Sequence, residues 1–308
     1  MNRCPITYNS CGSNKYSHDG LKKLSRNLKE LLDIPYSSEE QIREAVARAS
    51  KMSIQGVQPK LSAVLNVREK KFLIKDRNGK YILKPQNHLY PHIPENEDLT
   101  MKLAALSGIE VPLTGLVYSR DNSFTYFIKR FDRKGKRKIH MEDFAQLSEK
   151  TRDTKYDSSM EKISLIIEKF ATFPVLEKRK LFLLTIFNFL IGNEDMHLKN
   201  FSIIEETGNI KLSPAYDLIN TTIVLNDPEE IALPIDGKKR KLNREIFIEY
   251  YGSKRLGLNN KTIETVLNSI IISYPKWIDL INISFLPDKL KKDYIRLVDT
   301  RMKRLGLK

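Results

Sequence analysis

Residues 193–200 read NEDMHLKN and directly follow the longest apolar run of the chain, LFLLTIFNFLIG at 181–192. That run is shorter than the roughly twenty apolar residues needed to cross a bilayer, so we expect a buried core helix there. In the polar segment Asp195 precedes Asn200 by five positions. This is the interval in the catalytic loop of kinases, where the Asp orients the attacking hydroxyl and the Asn holds a metal ion.

The residues after this loop strengthen that interpretation. FSII at 201–204 and IKL at 210–212 predict a β-hairpin whose turn is Thr207-Gly208-Asn209, and PAYDL follows at 214–218. Kinases place the Asp that binds Mg²⁺ just after such a hairpin, so Asp217 is the predicted ligand. A few carboxylate or amide oxygens together with phosphate oxygens suit Mg²⁺.

Upstream residues predict the phosphate contacts. Lys84 ends a predicted strand, and Glu97 on the next helix is the expected ion-pair partner that directs it, with Glu95 as a competing candidate. The loop SIQGVQPK at 53–60 holds one glycine, Gly56, where the backbone can approach a phosphate. Gly56 and the adjoining Val57 are therefore candidate nucleotide contacts.

The first half of the chain predicts helices around a small antiparallel sheet. Leucine spacing predicts a helix over 20–32, and a capping box at Ser37 or Ser38 predicts a second helix ending near Ala49. A third helix is expected over 95–107, ending at Gly108. The predicted strands are 60–67, 71–75, 80–84, 113–119 and 123–131, with a hairpin turn at 76–79 and another around Asp121-Asn122.

From about residue 142 the pattern is mostly helical, with a strand-like interruption only at 200–213. The predicted helical segments are 158–171, 176–191, 242–250, 260–274 and 286–305. A sheet followed by helices predicts a two-lobed α+β fold of the protein-kinase type. We place the sheet lobe at 1–135 and the helical lobe, with the catalytic loop, at 136–308.

Composition sets further limits. The 308 residues carry a formal net charge of +15, which favours phosphates, nucleic acid or acidic protein surfaces as partners, and basic runs lie at 134–138 and 238–241. Without an export signal or a membrane-spanning run, a cytoplasmic location is expected. Cys4, Cys11 and His18 have a spacing that could hold a metal, but two ordinary reduced thiols are the favoured reading.

Seven segments together, in this order, resemble the HipA-like toxin kinases. The resemblance covers about residues 50–220, and its two longest segments are specific. The segments are SIQGVQPKLS (53–62), YILKP (81–85), PENEDLTMKLA (94–104), IKRFDR (128–133), HMEDF (140–144), IGNEDMHLKNFSI (191–203) and LSPAYDL (212–218).

The resemblance implies ATP bound between the lobes, Asp195 as catalytic base, and Mg²⁺ held by Asn200 and Asp217. Lys84 would contact phosphate, and the IKRFDR hinge would bring Lys129 and Phe131 close to the adenine. His197 is kept as a candidate at the cofactor, although a structural hydrogen bond is its more common role. Asp132 in the same hinge is expected to pair with a neighbouring arginine.

Ser53 matches the serine that the family autophosphorylates, and a phosphate there could eject the loop and turn the enzyme off. Gln55 stands where the family varies, which puts regulation through a second loop hydroxyl in doubt. The implied targets are aminoacyl-tRNA synthetases, whose phosphorylation would inhibit translation.

The chain resembles the short form of the family, which lacks an N-terminal subdomain. The resemblance therefore implies a separate small protein in place of that subdomain. It also implies a helix-turn-helix antitoxin, through which alone the chain would reach DNA.

Three alternatives stay open. A basic nucleic-acid-binding protein would explain the charge but not the acidic residues of the loop. A small-molecule kinase shares the Asp-x4-Asn loop but usually has an acidic substrate pocket, which a strongly basic chain fits less well. A pseudokinase scaffold is disfavoured by the presence of Asp195, Asn200 and Asp217.

Overall fold

A computed structural model describes residues 2–48, 58–135, 137–225 and 229–308. The chain divides into two compact units. The first comprises Met1–Leu99, Pro112–Phe131 and Ile283–Leu286, and the second comprises Thr100–Val111, Asp132–Asn282 and Pro287–Lys308. The assignment of 1–135 and 136–308 to two functional lobes stays a prediction.

The first unit begins with a short strand pair and two helices. These are β1 (Asn2–Arg3), β2 (Ser10–Gly12), α1 (His18–Leu24) and α2 (Ser38–Arg48). The predicted capping box of α2 is confirmed: the Glu40 carboxylate accepts from the Ser37 N–H at 2.7 Å, and the Ser37 hydroxyl accepts from the Glu40 N–H at 3.3 Å.

The predicted helix over 20–32 is wrong in its second half. Helix α1 ends at Leu24 because Ser25 takes an extended conformation, with φ −160° and ψ 137°. Leu28 and Leu31 are nevertheless buried. The leucine spacing therefore predicted correctly which side chains are buried, but Leu28 and Leu31 lie in an irregular segment rather than in a helix.

The main sheet has five antiparallel strands in the order β4-β3-β5-β7-β6. Its strands are β3 (Leu61–Asn66), β4 (Lys71–Ile74), β5 (Tyr81–Lys84), β6 (Thr114–Tyr118) and β7 (Phe124–Lys129). Inward side chains such as Leu61, Leu83 and Phe127 are fully buried, and their removal from water is the main term that stabilises this unit.

The predicted hairpin of β4 with β5 is wrong, because both strands pair with β3 on opposite edges. The connection crosses β3: the N–H groups of Lys75 and Lys80 donate to the carbonyls of Ser62 and Ala63, each at 2.8 Å. A Cβ on Gly79 would lie 1.9 Å from the Ser62 hydroxyl oxygen. The glycine that suggested a hairpin turn is thus needed for close passage of the chain.

Helix α3 (Ile93–Leu106) follows the sheet strand β5 and ends before Gly108, whose φ of 83° is the predicted left-handed conformation. The turn between β6 and β7 is also confirmed. There Asn122 takes a φ of 60°, and the Ser119 N–H donates to the Ser123 carbonyl at 2.9 Å.

The second unit is mostly helical. Its strands are β8 (Arg133–Lys134), β9 (Arg137–Lys138), β10 (Met141–Asp143), β11 (Ser202–Glu206) and β12 (Asn209–Leu212). Its helices are α4 (Phe144–Leu147), α5 (Met160–Phe170), α6 (Pro174–Ile191), α7 (Thr222–Leu225), α8 (Asn260–Ile283) and α9 (Asp288–Arg304), with a 3₁₀ turn at Leu198–Asn200 and a π-helical segment at Ile246–Arg255.

The predicted hairpin after the loop is confirmed as β11 and β12. The sequence missed β10, which pairs with β11 and makes a three-stranded sheet in the order β10-β11-β12. Helix α6 is buried from Leu181 to Ile191, as expected for the apolar run. None of the helices in the described part of the chain has the length and apolar character to span a membrane.

Gly192, where α6 gives way to the loop, offers a test of this packing. A Cβ there would meet Thr222 Oγ1 at 2.5 Å and Leu297 Cδ2 at 2.6 Å, and φ is 76°. We expect Gly192→Ala to lower the free energy of unfolding by about 2–5 kcal/mol through strain and overpacking, measured by urea denaturation.

The matched control is Gly208→Ala in the β11–β12 turn, where φ is 80° and a Cβ would meet nothing within 4 Å. It carries the backbone strain alone, about 1–2 kcal/mol. Equal losses in the two variants would contradict the steric account of Gly192.

Candidate active site

The loop at 193–200 has little regular structure and is held by its own polar groups. The Asn193 side chain donates to Asn188 Oδ1 at 3.0 Å and accepts from the Asp195 N–H at 3.2 Å. Asn200 Nδ2 donates to the Asp195 carbonyl at 2.8 Å. The structure therefore brings Asp195 and Asn200 together across the loop, at the two ends of the predicted motif.

A buried ion pair anchors the same loop to the last helix. Arg301 Nη2 lies 3.3 Å from Glu194 Oε1, and the two side chains are 5% and 4% exposed. Arg301 also donates to the Phe189 carbonyl, and the Thr222 hydroxyl donates to Glu194 Oε1. Burial lowers the pKa of Arg301, and the Glu194 charge opposes that shift.

The Asp195 carboxylate has two close neighbours within the second unit. The Tyr156 hydroxyl donates to its Oδ1, and His197 Nε2 lies 3.9 Å from the same oxygen. Burial lowers the pKa of His197, although the charges of Asp195 and Asp217 act in the opposite direction. The imidazole is therefore neutral at pH 7, and both carboxylates lie near enough to act on it.

Asp217 lies in the segment after β12, which ends at Leu212, and takes a φ of 54°, in the left-handed region. Asp tolerates this conformation better than most residues, and such backbone positions concentrate at functional sites. The adjoining Tyr216 hydroxyl donates to the Lys199 carbonyl at 2.9 Å, which ties the segment after the hairpin to the loop before it.

The donor atoms of this unit suit Mg²⁺. Asn200 uses its Nδ2 for the Asp195 carbonyl, which leaves the amide oxygen as the available ligand atom. With the Asp217 carboxylate this supplies two oxygen donors, the set that Mg²⁺ accepts when phosphates complete its shell. No group of three or more His, Cys, Asp or Glu in the described ranges could hold a metal alone, and Cys4, Cys11 and His18 form none.

In the first unit, the predicted pairing of Lys84 with Glu97 is confirmed. Lys84 Nζ lies 2.6 Å from Glu97 Oε1, and the side chains are 4% and 2% exposed. Glu95, the competing candidate, instead accepts from Gln86 Nε2 at 2.9 Å. Lys84 therefore leaves β5 with a fixed direction, while its contact with phosphate stays a prediction.

The other predicted residues are less constrained. Lys129 is exposed at the end of β7, and Phe131 is half-buried. Asp132 pairs with Arg133, as predicted. Ser53, Gly56 and Val57 lie outside the described residues.

Sequence reasoning missed Tyr156, Glu194 and Arg301 as parts of the site. Tyr156 carries no local signal, because its partner is 39 positions away. Arg301 does carry a local signal, because it lies on the same buried face of α9 as Tyr294 and Val298. An arginine on a buried helical face needs a partner, and that requirement points to a buried carboxylate.

The fold defines a class: it is an α+β fold of the protein-kinase type, and it carries Asp195 and Asn200 in one loop and Asp217 after the next hairpin. The fold class predicted from the sequence is confirmed by solved structures. HipA of the toxin–antitoxin system of Shewanella oneidensis MR-1, solved with HipB and operator DNA, matches with a TM-score of 0.66 and 22% identity, covering 91% of this chain and 73% of that one.

The chain belongs to the family described as the HipA-like C-terminal domain, whose family model matches residues 52–278. A Haemophilus influenzae protein named "Putative kinase" is 29% identical over 93% of this chain and 92% of its own length. The "Serine/threonine-protein kinase toxin HipA" of Shewanella oneidensis is 27% identical over 60% of this chain, which spans 47% of that relative. The resemblance to HipA-like kinases is confirmed.

The buried ion pair of the loop predicts a large effect on stability. We expect Arg301→Met to lower the free energy of unfolding by about 3–5 kcal/mol, because it leaves the Glu194 charge buried without this partner. Arg296→Met on the same helix is the control, since Arg296 is 78% exposed in its pair with Asp293 and should cost at most about 1 kcal/mol. Urea denaturation of both variants measures the difference, and equal losses would contradict it.

The buried pair of the first unit predicts a similar contrast. We expect Glu97→Ala to cost about 3–5 kcal/mol, because Lys84 loses a buried counter-charge. The control is Glu69→Ala, whose pair with Lys71 is 2.9 Å long but solvent-exposed and should contribute at most about 1 kcal/mol. Thermal unfolding of both variants would refute this account if Glu97→Ala melted like the control.

Proposed function

We propose that this chain is an ATP-dependent protein serine/threonine kinase that acts as the toxin of a toxin–antitoxin system. One observation carries the proposal: Asp195 and Asn200 are joined across one loop, and Asp217 follows the next hairpin in a left-handed conformation. Membership in the HipA-like family supports it. The arrangement has the parts that phosphoryl transfer requires, which are a base for the acceptor hydroxyl and oxygen ligands for a metal.

In this proposal each residue has one task. Asp195 orients the acceptor hydroxyl and takes its proton, and Asn200 and Asp217 hold Mg²⁺. Bound Mg²⁺ supplies positive charge that offsets the charge of the phosphates. Lys84, directed by Glu97, contacts a phosphate.

The remaining candidates would serve nucleotide binding. Lys129 and Phe131 would lie close to the adenine, and Gly56 and Val57 would approach the phosphates through their backbone. His197, neutral and next to Asp195, would keep the loop in shape at the cofactor. Ser53 would be the site of autophosphorylation, where added charge turns the enzyme off.

We infer the partners from the family. The substrate would be an aminoacyl-tRNA synthetase, and its phosphorylation would inhibit translation in the cytoplasm. A helix-turn-helix antitoxin would neutralise the chain and carry it to DNA, as the complex of HipA with HipB and operator DNA suggests by analogy. A small protein in place of the N-terminal subdomain is the second expected partner.

The direct test uses the purified chain with radiolabelled ATP and Mg²⁺. We expect phosphate on Ser53, identified by phosphopeptide mapping, because Asp195 can activate a serine hydroxyl. Asp195→Ala should reduce the rate at least a hundredfold, since removal of a general base costs about 10²–10⁴ in rate.

Substrates are found by phosphoproteomics of cells that express the wild-type chain or Asp195→Ala. Growth arrest and a newly phosphorylated synthetase only with the wild type would support the proposal. A wild-type chain that binds no ATP with Mg²⁺ and transfers no phosphate to itself or to extract would overturn it and favour a scaffold.

A further inference from the structure

Tyr156 lies in the segment between α4 and α5 and reaches the candidate catalytic loop. The Tyr156 ring packs edge-on against the His197 ring, with 5.1 Å between the ring centroids. Lys155 Nζ lies 4.9 Å from the centroid of the Tyr156 ring. The Leu198 N–H donates to the Lys155 carbonyl at 3.2 Å, which ties the segment to the loop. His197 and Lys155 therefore hold the Tyr156 ring in place, and its hydroxyl donates a hydrogen bond to the Asp195 carboxylate.

The two oxygens of that carboxylate differ. Oδ1 accepts the Tyr156 hydroxyl and has His197 Nε2 at 3.9 Å. Oδ2 has no hydrogen bond or ion pair with any residue that the structure describes, and the Asp195 side chain is 47% exposed. One oxygen is thus occupied by the protein, and the other is open to an incoming group.

A carboxylate on a short side chain needs such a partner to keep one orientation. The terminal torsion of Asp has a broad, roughly two-fold profile, so that an unrestrained carboxylate turns easily. A hydrogen bond from a neutral donor to a carboxylate is among the stronger protein hydrogen bonds. The Tyr156 hydroxyl supplies that restraint from one side.

We propose that Tyr156 is a positioning residue for phosphoryl transfer, which fixes Oδ1 of Asp195 so that Oδ2 faces the acceptor hydroxyl. This inference rests on the proposed function of Asp195. In the reaction the acceptor proton passes to Oδ2, the acceptor oxygen bonds to the γ-phosphorus, and the bond from that phosphorus to the bridging oxygen of ADP breaks. Tyr156 keeps its own proton throughout.

The surroundings of the hydroxyl agree with a permanent donor. Burial raises the pKa of Tyr156, and its hydrogen bond to Asp195 and the Asp195 charge raise the pKa further. The phenol is therefore protonated at neutral pH and donates to the Asp195 carboxylate rather than acting as a base.

The test is Tyr156→Phe, which keeps the ring contacts and removes the hydroxyl. Tyr250→Phe is the matched control, because the Tyr250 hydroxyl accepts from Arg255 Nε at 3.0 Å and that ring also carries a cation, 5.0 Å from its centroid. For each variant, the rate of phosphate transfer from ATP to the chain's own Ser53 is measured against ATP concentration at fixed Mg²⁺.

We expect Tyr156→Phe to lower the rate at saturating ATP by about tenfold to a hundredfold, the loss of one hydrogen bond to a charged group. The half-saturating ATP concentration and the melting temperature should match the wild type, because within the described residues the hydroxyl makes a hydrogen bond only to Asp195. Tyr250→Phe should leave all three quantities unchanged.

Other outcomes separate the two proposals. If the wild type transfers phosphate and Tyr156→Phe is as fast or faster, the positioning role is overturned while the kinase stands. A fall in melting temperature together with a raised half-saturating concentration would show a structural role and also overturn it. If the wild type transfers no phosphate to itself or to any protein in extract, the proposed function fails first.

Discussion

The buried ion pair between Glu194 and Arg301 is the constraint on which the candidate site depends. The loop has no regular ladder and only a few backbone hydrogen bonds, so side chains must help to fix its backbone, and Glu194 immediately precedes Asp195. Both partners are nearly withdrawn from water, so each charge loses hydration that only the other and its hydrogen-bond partners restore. Such a pair gives modest net stability, but it allows few arrangements of the loop. Since Asn200 then closes the loop on the Asp195 carbonyl, the anchor at Glu194 also orients the far end.

The fold could be predicted where local signals decide it. Helix α6 has an uninterrupted apolar run, α2 has its capping box, and β11 and β12 are joined by Gly208 in a left-handed turn. Strand order could not be predicted in the same way, because the pairing of β3 with both neighbours depends on contacts between distant residues. Gly79 shows the ambiguity: an Asn-Gly pair suits a tight turn, but here it lets the chain pass close to Ser62.

The site residues can likewise be divided into those that local sequence signals predict and those that reach the site from distant parts of the chain. Asp195, Asn200 and Asp217 could be found from spacing and from the hairpin between them, because one continuous segment carries all three. Tyr156 and Arg301 contact that segment from elsewhere in the chain. The sequence around Tyr156 gives no indication of its partner, and the buried helical stripe that carries Arg301 indicates only that a buried carboxylate must pair with it. The pairing of Lys84 with Glu97 lies between these cases. It joins a strand to the next helix; the known kinase architecture predicted this ion pair, and the structure confirms it.

The charge balance around Asp195 carries the functional argument one step further. The chain has 53 lysines and arginines against 38 acidic residues, so cations are plentiful in it. Asp195 pairs with neither Lys nor Arg in the described ranges; the Tyr156 hydroxyl and His197 lie beside its carboxylate, and Lys155 lies over the Tyr156 ring. A Lys or Arg paired with Oδ2 would occupy the oxygen that an incoming hydroxyl needs. A carboxylate that no Lys or Arg holds, and that a phenol hydroxyl restrains through one oxygen, keeps its other oxygen available to an incoming hydroxyl, as a general base requires.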